Sequence, residues 1–144
     1  MSKLIVLISV LTLLVGATSC SSGTSKGDAQ SNLISIPTYD EVKATQRITL
    51  EEMLSITRKQ GVVFVNASED ENRYFSDTIA FHPDNLIDEL GKVKFDAIVT
   101  YCSCPGDYSA AALAVSLRKR GYKQVFPLQG GAEALRLARA EGKL

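Results

Sequence analysis

The sequence predicts an α/β domain on a small parallel sheet, and three observations carry that prediction. Short, all-apolar, β-rich runs such as Val62-Val-Phe-Val65 and Ala97-Ile-Val-Thr-Tyr101 read as strands buried on both faces. Stretches of helical spacing, Leu50 to Thr57 and Ala110 to Arg120, alternate with those runs, and such alternation argues for parallel pairing. The whole chain is 45% hydrophobic and 22% charged, a globular composition, and residues 45–144 form a stretch of about 100 residues, enough for one core. No internal repeat appears at the periods that mark solenoids.

The chain opens with Met1-Ser-Lys3 and then twelve mostly apolar residues, Leu4 to Val15. A short positive start and an apolar run of this length have the proportions of a secretory signal peptide. A spanning helix needs about 20 apolar residues. Gly16-Ala-Thr-Ser-Cys20 follows, and small residues leading into a cysteine resemble the lipobox of bacterial lipoproteins. Ala17 stands where that family usually has leucine. The resemblance implies cleavage before Cys20, diacylation of its sulfur, and a place in the cell envelope, lipid-anchored to a membrane and facing the periplasm or exterior. Residues 1–19 are then the signal peptide, and 20–44 a lipidated flexible tether and lead-in. Ser21 to Asn32 contains nothing apolar larger than alanine and cannot order itself by burial. As a flexible linker it spans roughly 20 Å root-mean-square.

Beyond the tether, Leu33-Ile-Ser-Ile-Pro37 is a short apolar entry, with Pro37 marking an edge or lead-in. Tyr39 to Gln46 reads either as a turn of helix or as an extended approach. Thr49-Leu-Glu-Glu52 has the capping-box spacing and opens a helix. Leu50, Met53, Leu54 and Thr57 share one face of it, and Gly61 is the expected stop. Val62 to Val65 is a buried strand. Asn66 to Tyr74 is a polar, acidic loop, and Thr78-Ile-Ala-Phe81 a short strand. Pro83 to Leu90 is a helix stopped by Gly91. Val93 to Tyr101 is a strand, Ala110 to Arg120 a helix ended by Gly121, and Gln124 to Leu128 a last strand. Gly130-Gly131 makes a tight turn whose glycines serve backbone geometry. Ala132 to Ala140 closes the chain as a helix.

Composition excludes several functions. The formal net charge is zero and no basic block exists, so a nucleic-acid partner has no electrostatic footprint. His82 is the one histidine, which rules out a multi-histidine metal site within the chain and reads as a loop residue. No metal and no cofactor is expected. Arg118-Lys119-Arg120 places cations at a helix C-terminus, where the dipole favours them.

Chemistry concentrates in Tyr101-Cys-Ser-Cys-Pro-Gly-Asp-Tyr-Ser109. It lies between a strand and a helix start, where orphan backbone N–H groups and the helix dipole favour a thiolate. Ser103, Gly106 and Ser109 offer N–H or hydroxyl donors to an anion, and successive N–H groups of such a loop can make an anion nest. Asp107 reads as the N-cap of the helix. Tyr108 lines the pocket. Cys102 and Cys104, one residue apart, can close a small disulfide, which suits an exported chain.

From Asp96 to Ala140 the chain resembles the C-terminal half of a rhodanese-like domain. The residues that carry the resemblance are Tyr101-Cys102, Ser109-Ala110-Ala111-Ala112, Gly121-Tyr122, Val125 to Leu128 and Gly130-Gly131. Arg47 to Met53 resembles the family's opening helix and Val62 to Val65 its first core strand. The resemblance implies a single domain, a small parallel sheet flanked by helices on both faces. It also implies Cys102 as a nucleophile that carries sulfur as a persulfide, a sulfur donor and a thiol acceptor as partners, and Ser103, Gly106, Asp107, Tyr108 and Ser109 as the substrate loop. Cys104 adds a resolving thiol, so persulfide transfer or thiol redox work is expected. Two departures stand out. Asn66-Ala67-Ser68 replaces the family's Asp-x-Arg. The loop is one residue longer, and Tyr108 stands where its arginine would be, which argues against phosphatase chemistry, since tyrosine cannot clamp phosphate bidentately. The alternative expectation is a catalytically degenerate module that binds a partner at the membrane.

Overall fold

The computed structural model describes residues 35–68, 79–80 and 85–144. The signal-peptide and lipobox readings, Cys20, the tether, Leu33 and Ile34, most of the acidic loop, Thr78, Phe81, His82 and Pro83 lie outside them. The described residues belong to one compact unit, Ser31–Leu144. Among these residues no helix is long and apolar enough to cross a membrane.

The elements run α1 (Tyr39–Ala44), α2 (Leu50–Thr57), β1 (Val62–Asn66), β2 (Ile79–Ala80), α3 (Leu86–Gly91), β3 (Ala97–Tyr101), a 3-10 turn (Pro105–Asp107), α4 (Tyr108–Lys119), β4 (Val125–Pro127) and α5 (Gly131–Ala140). The strands form one sheet in the order β2-β1-β3-β4, and all pairings are parallel. Register places Asn66 beside Tyr101 and Thr100 beside Pro127, so the carboxyl ends of the three longer strands lie together.

Alternation along each strand divides the core in two. Val63, Val65 and Ile98 face α3 and α4, where Leu86, Leu90, Ala110, Leu113, Ala114 and Leu117 meet them. Phe64, Val99 and Tyr101 face α2 and α5, against Met53, Leu54, Ala132 and Leu135. Helices thus cover both faces, which is why β1 and β3 are apolar at nearly every position instead of alternating with polar residues. The alanines of α4 let its backbone sit close to the sheet. There the buried Thr100 hydroxyl donates to the Ala110 carbonyl (2.8 Å) and fixes the start of α4 on β3.

Helix ends follow their local chemistry. Thr49 and Glu52 form the expected capping box at α2. Thr38 and Glu41 form a second one, which settles the 39–46 stretch as α1 followed by extended chain. Its signal was Thr38-x-x-Glu41, the same pattern. At α4, Gly121 has a φ of 101°, and the Tyr122 N–H returns to the Leu117 carbonyl (3.2 Å), a Schellman ending. Gly61 does not stop α2, which ends at Thr57. Its N–H instead takes the Asp96 carboxylate (2.9 Å) and aligns the starts of β1 and β3.

Helix α1 falls within the 20–44 lead-in and packs on α4. Val42 is buried there, Lys119 pairs with Glu41 (2.7 Å), and the Ser116 hydroxyl donates to the Ser35 carbonyl (2.6 Å). The Lys119 hydrogen bond, helped by Thr38, holds the Glu41 carboxyl below its usual pKa. Arg118 turns to the Val125 carbonyl and ties α4 to β4, and burial lowers its pKa. The cationic run therefore serves the fold on at least two of its three residues.

Candidate active site

The cysteine loop leaves β3, one of the two inner strands, at the carboxyl edge of the sheet, the side on which open α/β sheets place their ligand sites. Cys102 follows β3 directly and belongs to the α3/α4 side of the core, 2% exposed. Cys104 packs against the same cluster but is only half-buried. The two are joined as a disulfide, with Cα atoms 5.4 Å apart.

Every neighbouring element holds this loop. The Cys102 carbonyl accepts the Ala132 N–H from α5 (3.0 Å). The Ser103 N–H donates to the Ser68 hydroxyl (2.7 Å), and the Ser68 N–H donates to the Asn66 side chain (2.9 Å). Asn66-Ala-Ser68 therefore makes a local turn that hands a hydroxyl to the loop. The Asp107 N–H donates to the Cys104 carbonyl (3.3 Å), and the Ser109 N–H to the Cys104 sulfur (3.3 Å). In the disulfide form, the backbone N–H groups of Ser103, Asp107 and Ser109 are thus engaged within the protein.

Asp107 does not cap α4. It stands at the N-cap position with φ 56° and ψ 29°, a left-handed conformation that aspartate tolerates better than most residues, and its side chain makes no capping bond. Instead the carboxylate, 8% exposed, accepts the Gly130 N–H (2.9 Å) and links the loop to the turn before α5. The Cys104 sulfur occupies the capping role at Ser109. Asp107→Ala is therefore expected to strand a half-buried donor and cost about 1–3 kcal/mol in urea unfolding. Asp107→Asn keeps the acceptor and the backbone tolerance and should cost less than half as much.

Sequence reasoning missed Arg47. Its guanidinium reaches the loop across 59 residues of chain and donates to the Gly106 carbonyl (3.0 Å) and to the Thr45 carbonyl (3.0 Å). Its Nε is buried without a hydrogen-bond partner among the described residues. The guanidinium carbon lies 5.9 Å from the centre of the Tyr108 ring, within cation–π range. Tyr108, 43% exposed, also stacks on Tyr39 of α1, which is 63% exposed, with ring centres 6.1 Å apart. Their hydroxyls are 3.5 Å apart, and this interaction raises the Tyr39 pKa above that of free tyrosine. No local spacing signals these contacts, because they join segments far apart in sequence. Ser103, Gly106 and Ser109 are exposed around the loop, and Gly106 takes φ 69° to let it turn.

No protein-family model and no curated protein matches the sequence. Solved structures do. The reduced CoADR-RHD protein of Bacillus anthracis is 22% identical with a TM-score of 0.46, over 67% of this chain and 17% of that one. The Alr3790 protein from Anabaena sp. is 17% identical with a TM-score of 0.48, over 67% of this chain and all of its own. The chain thus spans under a fifth of the first neighbour and the whole of the second.

Proposed function

We propose that this is an exported, lipid-anchored protein of the rhodanese-like kind whose two-cysteine loop cycles between dithiol and disulfide. One observation carries the reading: the Cys102–Cys104 disulfide closes at the carboxyl end of β3. A cross-link across a single residue does little for the fold. By chain entropy it contributes about 1.5 kcal/mol, half of what a 15-residue loop gains. Most hydrogen bonds around the loop, those of the Cys102 carbonyl, the Ser103 N–H and the Asp107 N–H, do not involve the sulfurs. The pair is therefore better suited to chemistry than to stapling. The partners are thiols or disulfides, small or carried on protein, and the attachment to membrane is through lipid on Cys20.

The position of Cys102 favours a second reading, sulfur transfer. It ends a strand just ahead of a helix, where the sequence resembles the sulfur-carrying site. There the Cys102 thiolate attacks the terminal sulfur of a sulfane-sulfur donor such as a polysulfide, whose S–S bond breaks, so that the shortened polysulfide leaves and Cys102 carries a persulfide. The Cys104 thiolate then attacks the inner sulfur, forms the disulfide and releases hydrosulfide. A partner-binding module without thiol chemistry is the remaining alternative.

Intact mass of the full chain in detergent separates these. The protein is reduced, then exposed in separate samples to oxidised glutathione, polysulfide and thiosulfate. Loss of two hydrogens in the oxidised glutathione sample that requires both Cys102 and Cys104 is the expected result. Because Cys104 would resolve a persulfide to the same disulfide, sulfur transfer is read in the Cys104→Ala chain: a gain of one sulfur there with polysulfide or thiosulfate, absent in Cys102→Ser, would establish it. An unchanged mass in all three samples would leave the binding module.

A further inference from the structure

The two cysteines differ in ways that assign their roles. We infer that Cys104, rather than Cys102, is the sulfur through which a substrate disulfide enters and leaves, with Cys102 as the buried resolving thiol. The inference rests on the dithiol–disulfide reading above and adds a direction to it.

Three observations support the assignment. Access is unequal: Cys102 is 2% exposed among Val63, Val65 and Leu86, whereas Cys104 is half-buried at the loop surface. An attacking sulfur must approach along the S–S axis, and the open side of this bond is that of Cys104. Electrostatics are unequal as well. The Cys104 sulfur accepts the Ser109 N–H from the first turn of the twelve-residue α4, and Asp107, which would otherwise cap this end, is turned to Gly130. The positive end of the helix therefore acts on Cys104, and a thiolate there keeps this donor. Arg47, fixed on the carbonyl of Gly106 two residues further on, brings a cation to the same loop. Finally, Cys102 is held in place. Its carbonyl accepts the Ala132 N–H and lies so close to Gly131 that a β-carbon there would overlap its oxygen.

The chemistry balances with a disulfide as co-reactant. The Cys104 thiolate attacks one sulfur of the substrate disulfide, whose S–S bond breaks. One substrate thiolate leaves and takes a proton from water, and a mixed disulfide remains on Cys104. Cys102 gives its proton to solvent and attacks the Cys104 sulfur. The second substrate thiolate leaves, and the Cys102–Cys104 disulfide forms. Two electrons pass from the protein dithiol to the substrate. In reverse, an external thiolate attacks Cys104 of the disulfide form.

The test uses full-length chain carrying Cys20→Ala, so that only the loop thiols react. The probe is oxidised glutathione, and the rate of mixed-disulfide formation is followed by mass. With Cys102 replaced by alanine, the remaining Cys104 should react at least tenfold faster than Cys102 does in the Cys104→Ala chain. As a check that needs no loop substitution, the reduced Cys20→Ala chain is labelled with a limiting amount of iodoacetamide and mapped by peptide mass. Of the labelled chains, at least nine in ten should carry the label on Cys104. Equal rates, or label mainly on Cys102, would overturn the assignment while leaving the redox reading intact. A reduced Cys20→Ala chain that never loses two hydrogens to oxidised glutathione would instead remove the redox reading itself.

Discussion

Replacing Gly131 with alanine should cost about 3 kcal/mol or more, a large part of the 5–15 kcal/mol that holds a domain of this size together. Replacing its neighbour Gly130 should cost about 1 kcal/mol. Both glycines have positive φ, 77° at Gly130 and 46° at Gly131, so both variants bear the left-handed penalty of about 1–2 kcal/mol. What separates them is what the new methyl group meets. At Gly130 it lies 3.2 Å from the Ala134 methyl, on a helix flank that can give slightly. At Gly131 it overlaps the backbone carbonyl of Cys102 and comes within 3.0 Å of the Asp107 carboxylate. Neither can retreat without breaking the Ala132 N–H to Cys102 carbonyl bond or the Asp107 link to Gly130. The Gly131 variant should therefore also disturb the cysteine loop, and its disulfide should be reduced more readily by a dithiol. Urea unfolding of the two variants checks the first part, and equal losses would show that backbone conformation alone sets the cost.

The same turn shows where sequence reading reached and where it stopped. The Gly-Gly pair and the apolar strands were legible because their signals are local: a composition that only a buried parallel strand tolerates, and residues that permit positive φ. The Thr49-Leu-Glu-Glu52 capping box was legible for the same reason, whereas the same pattern in Thr38-Tyr-Asp-Glu41 went unread and the 39–46 stretch stayed open. Strand ends were less so. Val93 to Asp96 continue the pattern of β3, yet the strand begins at Ala97, because Asp96 is turned to the Gly61 N–H. At the site, the two cysteines and their strand–loop–helix setting were visible in the chain. The role of Asp107 was not. Its spacing is that of an N-cap, and the partner that diverts it, Gly130, is 23 residues away. Arg47 was hidden for the same reason. The loop lacks the arginine expected at Tyr108, and a cation reaches it from 59 residues earlier in the chain, bonded to Gly106 and facing that tyrosine. Long-range pairs of this kind leave no periodicity.

Replacing Cys20 with alanine should move the protein from the membrane fraction to the soluble one. Lipid is the only strong attachment the sequence offers. Lys3 is the one charged residue before Cys20, so of sixteen basic and sixteen acidic residues fifteen and sixteen follow it, a net charge of −1. A basic patch adds about 1 kcal/mol per cation near an anionic surface, and here there is no excess of cations to use it. Each buried methylene of an acyl chain contributes about 0.8 kcal/mol, and two chains give stable anchoring where one is marginal. Losing both should lower membrane partition by well over a thousandfold. A complication is that the variant can retain Leu4 to Val15. As a helix that run is about 18 Å long, against about 30 Å of hydrocarbon, which is too short to span. It is still apolar enough to cling to a membrane. Fractionation is therefore best read together with the mass of the N-terminal peptide. The wild-type chain should begin at Cys20 and carry acyl chains removable by mild alkali, while the variant carries none. A wild-type chain that begins elsewhere, or whose Cys20 bears no lipid, would end the lipoprotein reading whatever the fractions show. The thiol site, held by contacts within residues 35–144, would be untouched by that result.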